Sequence, residues 1–176
     1  LQGAEPLYRR AFEARERTLG ADHSKTLTSL YNFASIYKAQ EDWDRAIPLF
    51  QRRFETRERT LGPRHKDTIT GLVSLALVVK KSGNLEDAAV LQGKLLEARE
   101  HTLGVDHPKT LTSVYNLANI YKAQEDWDRA IPLFQRELEA MERIHGPDHK
   151  DTIASLVNLA PVLKKAGDLQ GAEPLY

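Results

Sequence analysis

The residues of this sequence that could do chemistry are its histidines, and four of them recur at a constant spacing. The four are 42 residues apart and stand at positions His23, His65, His107 and His149. An imidazole can ligate a metal ion or act as a general acid or base near neutral pH. We expect instead that each of these side chains caps the start of a helix. Equivalent residues of stacked helix pairs lie roughly 10 Å apart, which is too far for two of them to share a metal ion.

The other candidates for catalysis also lack a suitable setting. His101 and His145 fall near predicted helix ends, where their side chains could face terminal carbonyl groups. The carboxylates of Glu41 and Asp42 stand at a predicted turn, without the apolar burial that raises a carboxyl pKa for acid catalysis. The sequence contains no Gly-rich phosphate loop and no G-x-S-x-G motif. It therefore predicts a non-enzymatic protein with no cofactor and no metal site.

Composition narrows the class of partner. The 176 residues carry a formal net charge of zero, whereas a dedicated nucleic-acid-binding domain has a basic excess. No apolar run approaches the roughly 18 residues of a membrane span. The sequence has no cysteine, which excludes disulfides and thiolate zinc sites and is typical of a reducing compartment. We therefore expect a cytoplasmic protein that binds other proteins and neither nucleic acid nor membranes.

The histidines belong to a repeat that covers the whole chain. Gly20, Gly62, Gly104 and Gly146 keep the same 42-residue spacing, and alanines and threonines follow it in phase. Such a period is typical of stacked helical repeats. We divide the single array, 1–176, into the second helix of a truncated unit (1–20), three full units (21–62, 63–104 and 105–146) and an incomplete last unit (147–176).

Each unit is predicted to form two helices. The first extends from about Lys25 to Lys38, because leucine, phenylalanine and alanine recur along it at helical spacing. Asp42 is suited to cap the second helix, which extends from about Trp43 to Thr60 before a terminating glycine. One such pair cannot bury its apolar face alone, so the pairs are expected to stack into an α-solenoid.

The pattern resembles that of the tetratricopeptide repeat family. Leu30, Phe33, Ala34, Tyr37 and Trp43 match its signature in order. The 42-residue period and the recurring L-Y-N-F-A and E-R-T-L-G-x-x-H segments are similar to repeats of the kinesin light chain type. The resemblance implies an all-α, right-handed solenoid that acts as a protein-interaction scaffold, with the first helices lining a concave groove.

The units depart from that signature in two ways. The glycine expected between the two helices of a unit is present as Gly83 but replaced by Glu41 and Glu125, which should strain or reshape those turns. The small residue expected late in the second helix is Arg53 in one unit and Glu137 in another.

The resemblance also implies which side chains form the groove. The candidates are Tyr31, Asn32, Ser35, Lys38, Val73, Lys80, Lys81, Tyr115, Asn116, Asn119, Lys122, Asn158, Lys164 and Lys165. The lysines would attract an extended acidic peptide, and the tyrosines would pack on its aromatic or apolar anchor. The alternative is that the lysines only complement the helix dipoles and stay solvated.

The same eight residues, LQGAEPLY, occur at positions 1–8 and 169–176. The array therefore looks uncapped, and solenoids usually need polar caps. We expect apolar surface at Leu7, Phe12, Leu156, Leu159 and Leu163. Head-to-tail association of copies through these residues is the alternative function, a structural self-assembling array.

Overall fold

The computed structural model describes residues 3–168 and residue 171 of the chain. Its described part forms eight α-helices and no strand. The helices are α1 (Glu5–Leu19), α2 (Ser24–Ala39), α3 (Trp43–Leu61), α4 (Lys66–Lys81), α5 (Leu85–Leu103), α6 (Pro108–Ala123), α7 (Trp127–His145) and α8 (Lys150–Ala166). The first helices of the predicted units, α2, α4, α6 and α8, begin 42 residues apart, as do the second helices α3, α5 and α7.

The chain divides into two compact units, Leu1–Leu91 and Gln92–Tyr176, with the division inside α5. In the first unit α1 packs on α2, α2 on α3, and α3 on α4. In the second, α6 packs on α7 and α7 on α8. Sequential packing of this kind is what a repeat array requires, because each helix buries its apolar face against its neighbours along the chain.

Side-chain caps decide where the helices begin. Asp42 accepts a hydrogen bond from the backbone N–H of Arg45, and Asp126 accepts one from Arg129 at the start of α7. Each satisfies one of the backbone donors that lack a partner in the first turn. The second helices end at glycines such as Gly62, whose φ of +86° is open to glycine at little cost. These caps confirm the predicted starts and ends to within one or two residues.

The core of each unit combines small and large side chains. In the first unit Ala34 and Ala46 are fully buried, so that α2 and α3 approach closely around the Phe50 ring. In the second unit Ala118, Ala130 and Phe134 are buried at the equivalent places. Burying one such phenylalanine contributes about 1.5–3 kcal/mol.

The short turns between first and second helices keep a left-handed residue even where glycine is missing. Glu41 and Glu125 have φ values of 56° and 58°, against 86° at Gly83 and 88° at Gly167. The turn is therefore preserved and the glutamates accept the strain, at roughly 1 kcal/mol each. Within the described part of the chain, no helix combines the length and the apolar composition that a membrane crossing requires.

Candidate functional site

The four recurring histidines cap the first helices, as predicted. Each Nδ1 accepts a hydrogen bond from the backbone N–H two residues later, at 3.1–3.2 Å. Because Nδ1 accepts, the proton of the neutral imidazole lies on Nε2. The side chain is thus used to start a helix, which explains why it recurs in every unit.

One pair of histidines meets in a way that the repeat pattern does not predict. His145 ends α7, where the other units have Leu19, Leu61 or Leu103, and its ring stacks on that of His149 with centroids 4.4 Å apart and an interplanar angle of 17°. His145, His149 and Asp151 each offer one possible ligand atom, a ring nitrogen or a carboxylate oxygen. These three atoms lie within 4.8 Å of one another. Nearly parallel rings direct their in-plane lone pairs side by side, so one imidazole would have to rotate before both could bind one ion.

Two tyrosines of the predicted groove are held in place by aromatic contacts yet keep part of their surface open. Tyr31 meets the Phe50 ring edge-on, with centroids 5.8 Å apart and an interplanar angle of 83°. Tyr115 meets Phe134 in the same way at 6.2 Å and 74°. Both tyrosines are half-buried. Rings anchored in this way lose little further entropy when they pack against a ligand.

The groove candidates other than the tyrosines differ in their exposure and in whether their polar groups already have hydrogen-bond partners. Ser35 Oγ donates to the Tyr31 carbonyl at 2.8 Å, and Asn119 Nδ2 donates to the Tyr115 carbonyl at 2.8 Å. These two donors are therefore engaged within their own helices. Asn32 is exposed. The half-buried candidates are Val73, Asn116, Asn158, Lys38 and Lys122, and the exposed lysines are Lys80, Lys81, Lys164 and Lys165.

Two buried charges occupy the same position of the repeat in the two compact units. Arg53 is 7% exposed and Glu137 is 8% exposed. The Nε and one terminal nitrogen of Arg53 and the Oε2 of Glu137 have no hydrogen-bond partner. Burial lowers the pKa of Arg53 to about 10 and raises the pKa of Glu137. Both residues depart from the family signature in the sequence, but the sequence alone did not predict that their charges are buried.

An arginine ladder, formed by Arg15, Arg57 and Arg99, recurs near the ends of the second helices. Each side chain donates to a backbone carbonyl in the first turn of the next first helix, at 2.8–3.3 Å. Arg15 and Arg99 also donate to a serine Oγ at 2.7 Å. The fourth position of this series is Met141. The 42-residue spacing of these arginines is visible in the sequence, but their contacts with the next helix were not predicted.

A cavity of about 530 Å³ lies in the second unit beside this methionine. Its lining combines the apolar side chains of Leu111, Tyr115 and Met141 with the acidic side chains of Asp106, Glu137 and Asp151. Of the groove candidates named from the sequence, Tyr115 is the one that lines it. The size and the mixture of apolar walls with a few polar groups are those of a ligand site.

The residues predicted to mediate self-association are placed very differently from one another. Leu7 is 67% exposed and Leu156 is half-buried. Phe12, Leu159 and Leu163 are already buried within the chain. Of the repeated terminal segments, residues 1, 2, 169, 170 and 172–176 lie outside the described residues.

Solved structures share this fold. A Podosopora anserina kinesin light chain protein with nearly identical TPR-like repeats is 24% identical, with a TM-score of 0.84 over 99% of this chain and 82% of that one. BtubC of P. vanneervenii is 23% identical, with a TM-score of 0.76 over 99% and 69%. MamA of Desulfovibrio magneticus RS-1 is 16% identical, with a TM-score of 0.60 over 97% and 90%. The predicted fold class is thereby confirmed.

The sequence itself matches one family model. No curated protein matches the sequence of this chain. The model described as a tetratricopeptide repeat matches residues 1–59, 31–100, 67–136 and 110–176, so that its matches together span the chain. The predicted likeness to the kinesin light chain type is also confirmed at the level of the fold, by structural neighbours that are 24% identical. The chain therefore belongs to the tetratricopeptide repeat family.

Proposed function

We propose that this protein is a non-catalytic, cytoplasmic interaction scaffold that binds an extended segment of a partner protein along its first helices. One observation carries the proposal. The same position of every first helix holds a tyrosine or a valine that keeps part of its surface open: Tyr31, Val73, Tyr115 and Val157. Val157 is 64% exposed. Partly open apolar side chains that recur at one position of the first helices within each unit favour binding of a partner.

The lysines define the chemistry of the partner. Lys80 and Lys81 lie in the last turn of α4, and Lys164 and Lys165 lie in the last turn of α8. All four are exposed. An acidic segment would be attracted to them, and an aromatic anchor on that segment would pack against the wall tyrosines. Such binding would weaken with salt, because exposed charges are screened within about 10 Å at 0.1 M ionic strength.

A labelled acidic peptide that contains one tryptophan tests this proposal by fluorescence anisotropy at low and high salt. We expect salt-sensitive binding that falls when Lys80→Ala and Lys81→Ala are combined. The matched control combines Lys25→Ala with Lys94→Ala, two exposed lysines outside the candidate wall. Equal loss in both double variants would show that only net charge matters and would contradict a groove. The absence of any salt-sensitive binding would contradict the proposal as a whole.

Self-association is a second candidate function, favoured by the exposure of Leu7. This side chain is 67% exposed on α1, and Tyr8 beside it is 39% exposed. Association would bury these side chains against another copy. Light scattering over a hundredfold range of concentration should then show growing mass, and Leu7→Ser should reduce it. A mass that stays monomeric throughout that range would exclude this function.

A further inference from the structure

We propose that the cavity beside Met141 binds the side chain of an arginine from the partner protein. The inference rests on the proposed groove, because the cavity includes Tyr115 of the candidate wall. It adds a second chemical requirement to the partner, a cationic residue. Three features of the chain support it: the missing member of the arginine ladder, the charge of the cavity, and the residues at the equivalent positions of the other compact unit.

The first step is the missing arginine. In the second unit Arg99 donates to the Lys109 carbonyl at 2.8 Å and to Ser113 Oγ at 2.7 Å. The equivalent acceptors one repeat later are the Asp151 carbonyl and Ser155 Oγ. The residue equivalent to Arg99 is Met141, which has no N–H to donate. The backbone and side-chain acceptors of an arginine site are thus present in this repeat, and the arginine is absent.

The second step is the charge of the cavity. Its described lining includes three carboxylates and neither a lysine nor an arginine. Asp106 is paired with Arg143 outside the lining. Glu137 is more than nine-tenths buried, and its Oε2 has no hydrogen-bond partner. A buried carboxylate oxygen without a partner is costly, and a charge-assisted hydrogen bond from a guanidinium is among the strongest ways to satisfy it.

The third step is the equivalent region of the first unit. There the positions of Glu137 and Met141 are held by Arg53 and Arg57. The Arg53 guanidinium lies over the Tyr31 ring, 4.8 Å from its centroid, and Arg57 donates to the Asp67 carbonyl at 2.9 Å. The first unit therefore fills this region with its own arginines. The second unit keeps the tyrosine, as Tyr115, but has a carboxylate and an open cavity where the two arginines were.

A partner arginine fits these features together. Its guanidinium would pack on Tyr115, pair with Glu137 and reach the Asp151 carbonyl and Ser155 Oγ. These two groups have no arginine donor in this repeat, and Ser155 Oγ donates to the Asp151 carbonyl at 3.2 Å instead. Thr112 and Asp106, which also line the cavity, are exposed, so the side chain could enter from solvent. Arginine is favoured over lysine because a planar guanidinium can stack on a ring and donate several hydrogen bonds in one plane.

The test compares two short peptides that contain neither acidic nor aromatic residues. Acetyl-Ala-Arg-Ala-amide is titrated into the full chain by NMR, and so is the same peptide with citrulline, which keeps the shape but has no charge. We expect the arginine peptide to bind at least about tenfold more tightly, with shifts at Tyr115 and Ser155. Equal affinities, or no binding of the arginine peptide at millimolar concentration, would overturn the inference.

Three variants locate the site. Glu137→Gln should weaken binding of the arginine peptide at least about tenfold, whereas Glu139→Gln, an equal change at an exposed position of the same helix, should not. Met141→Arg should abolish binding and raise the melting temperature, because the chain then supplies its own ladder arginine. Binding that survives both Glu137→Gln and Met141→Arg would place the ligand elsewhere and overturn the inference.

Two further measurements separate this inference from its competitors. If the peptide binds only with added Zn²⁺, and this binding is lost with EDTA or His145→Leu, the cavity is a metal site and the inference is wrong. The acidic, tryptophan-containing peptide is titrated into the same samples. If the acidic peptide binds and the arginine peptide does not, the inference is wrong and the proposed groove is unaffected. The reverse result would support the cavity and contradict the acidic partner.

Discussion

The guanidinium of Arg53 lies 4.8 Å from the centre of the Tyr31 ring, at the position where the family resemblance predicted a small residue. Burial and, to a smaller extent, the neighbouring Arg57 lower the pKa of this arginine to about 10, while Tyr31 and Asp67 oppose the shift. Two of its nitrogens have no acceptor. The ring face therefore compensates only part of what the charge loses on leaving water.

Replacing this arginine with leucine should stabilise the protein. Arg53→Leu introduces the residue found one repeat later, Leu95, and removes the unsatisfied donors. We expect the free energy of unfolding to rise by about 1 kcal/mol, because about 1–3 kcal/mol of unsatisfied polar burial outweighs the lost cation–π contact. Urea unfolding followed by circular dichroism measures the change. Arg59→Leu, at an exposed position paired with Asp22, should give no such gain.

The stability gain from Arg53→Leu should depend on pH. Below pH 10 Arg53 is charged in both the folded and the unfolded chain, so the burial cost is fully present. Above pH 10 the folded protein releases the proton while the unfolded chain keeps it, and the stability of the wild type rises. The advantage of Arg53→Leu should therefore shrink as the pH rises above 10. An advantage that stays constant to pH 12 would contradict this account.

Glu137 should show the opposite dependence. Burial raises its pKa, and a hydrogen bond with Ser155 opposes the shift. Since the folded state binds the proton more tightly, stability is lost as the pH rises from the ordinary carboxyl pKa through the folded one. Glu137→Gln should be more stable than the wild type by about 1 kcal/mol at neutral pH. Melting temperatures measured from pH 4 to 8 should converge at the acidic end, and parallel curves would argue against a buried carboxylate.

The arginine ladder should be measurable by removing one member. Arg99→Met copies into one repeat the residue that the next repeat has at position 141. It removes donors to the Lys109 carbonyl and Ser113 Oγ from a partly buried site, and should cost about 1–3 kcal/mol. Arg136→Met is the matched control, because its ion pair with Glu100 is partly exposed and contributes at most about 1 kcal/mol. Equal effects on urea unfolding would mean that the ladder has no special role.

The helices were predictable because local chemistry sets their ends. The first helix was expected at Lys25–Lys38 and is observed at Ser24–Ala39, since the His23 cap depends on atoms two residues away. The same locality explains why the second helix ends at Gly62. The 42-residue period then fixed the remaining helices.

The site was less predictable, because it depends on which way polar side chains turn between helices. Helical periodicity assigns Glu137 a position but does not say that its carboxylate is buried beside a cavity. The stacking of His145 on His149 is likewise invisible to a search for equivalent positions, since the two belong to different places in the repeat. Such contacts follow from tertiary packing.

The strained turns provide a final prediction, with glycine as an internal reference. Glu41 holds a φ of 56° where the equivalent residue of the next repeat is Gly83, at 86°. Glu41→Gly should raise the free energy of unfolding by up to about 1 kcal/mol, since relief of left-handed strain exceeds the added freedom of the unfolded chain. Gly83→Ala should lower it by a similar amount. No heavy atom beyond the glycine and its two chain neighbours lies within 4 Å of a Cβ placed on Gly83, so this second change reports on the backbone alone. If urea unfolding showed both substitutions to be neutral, the turns would carry no strain. Steric crowding around the new Cβ could not explain that result.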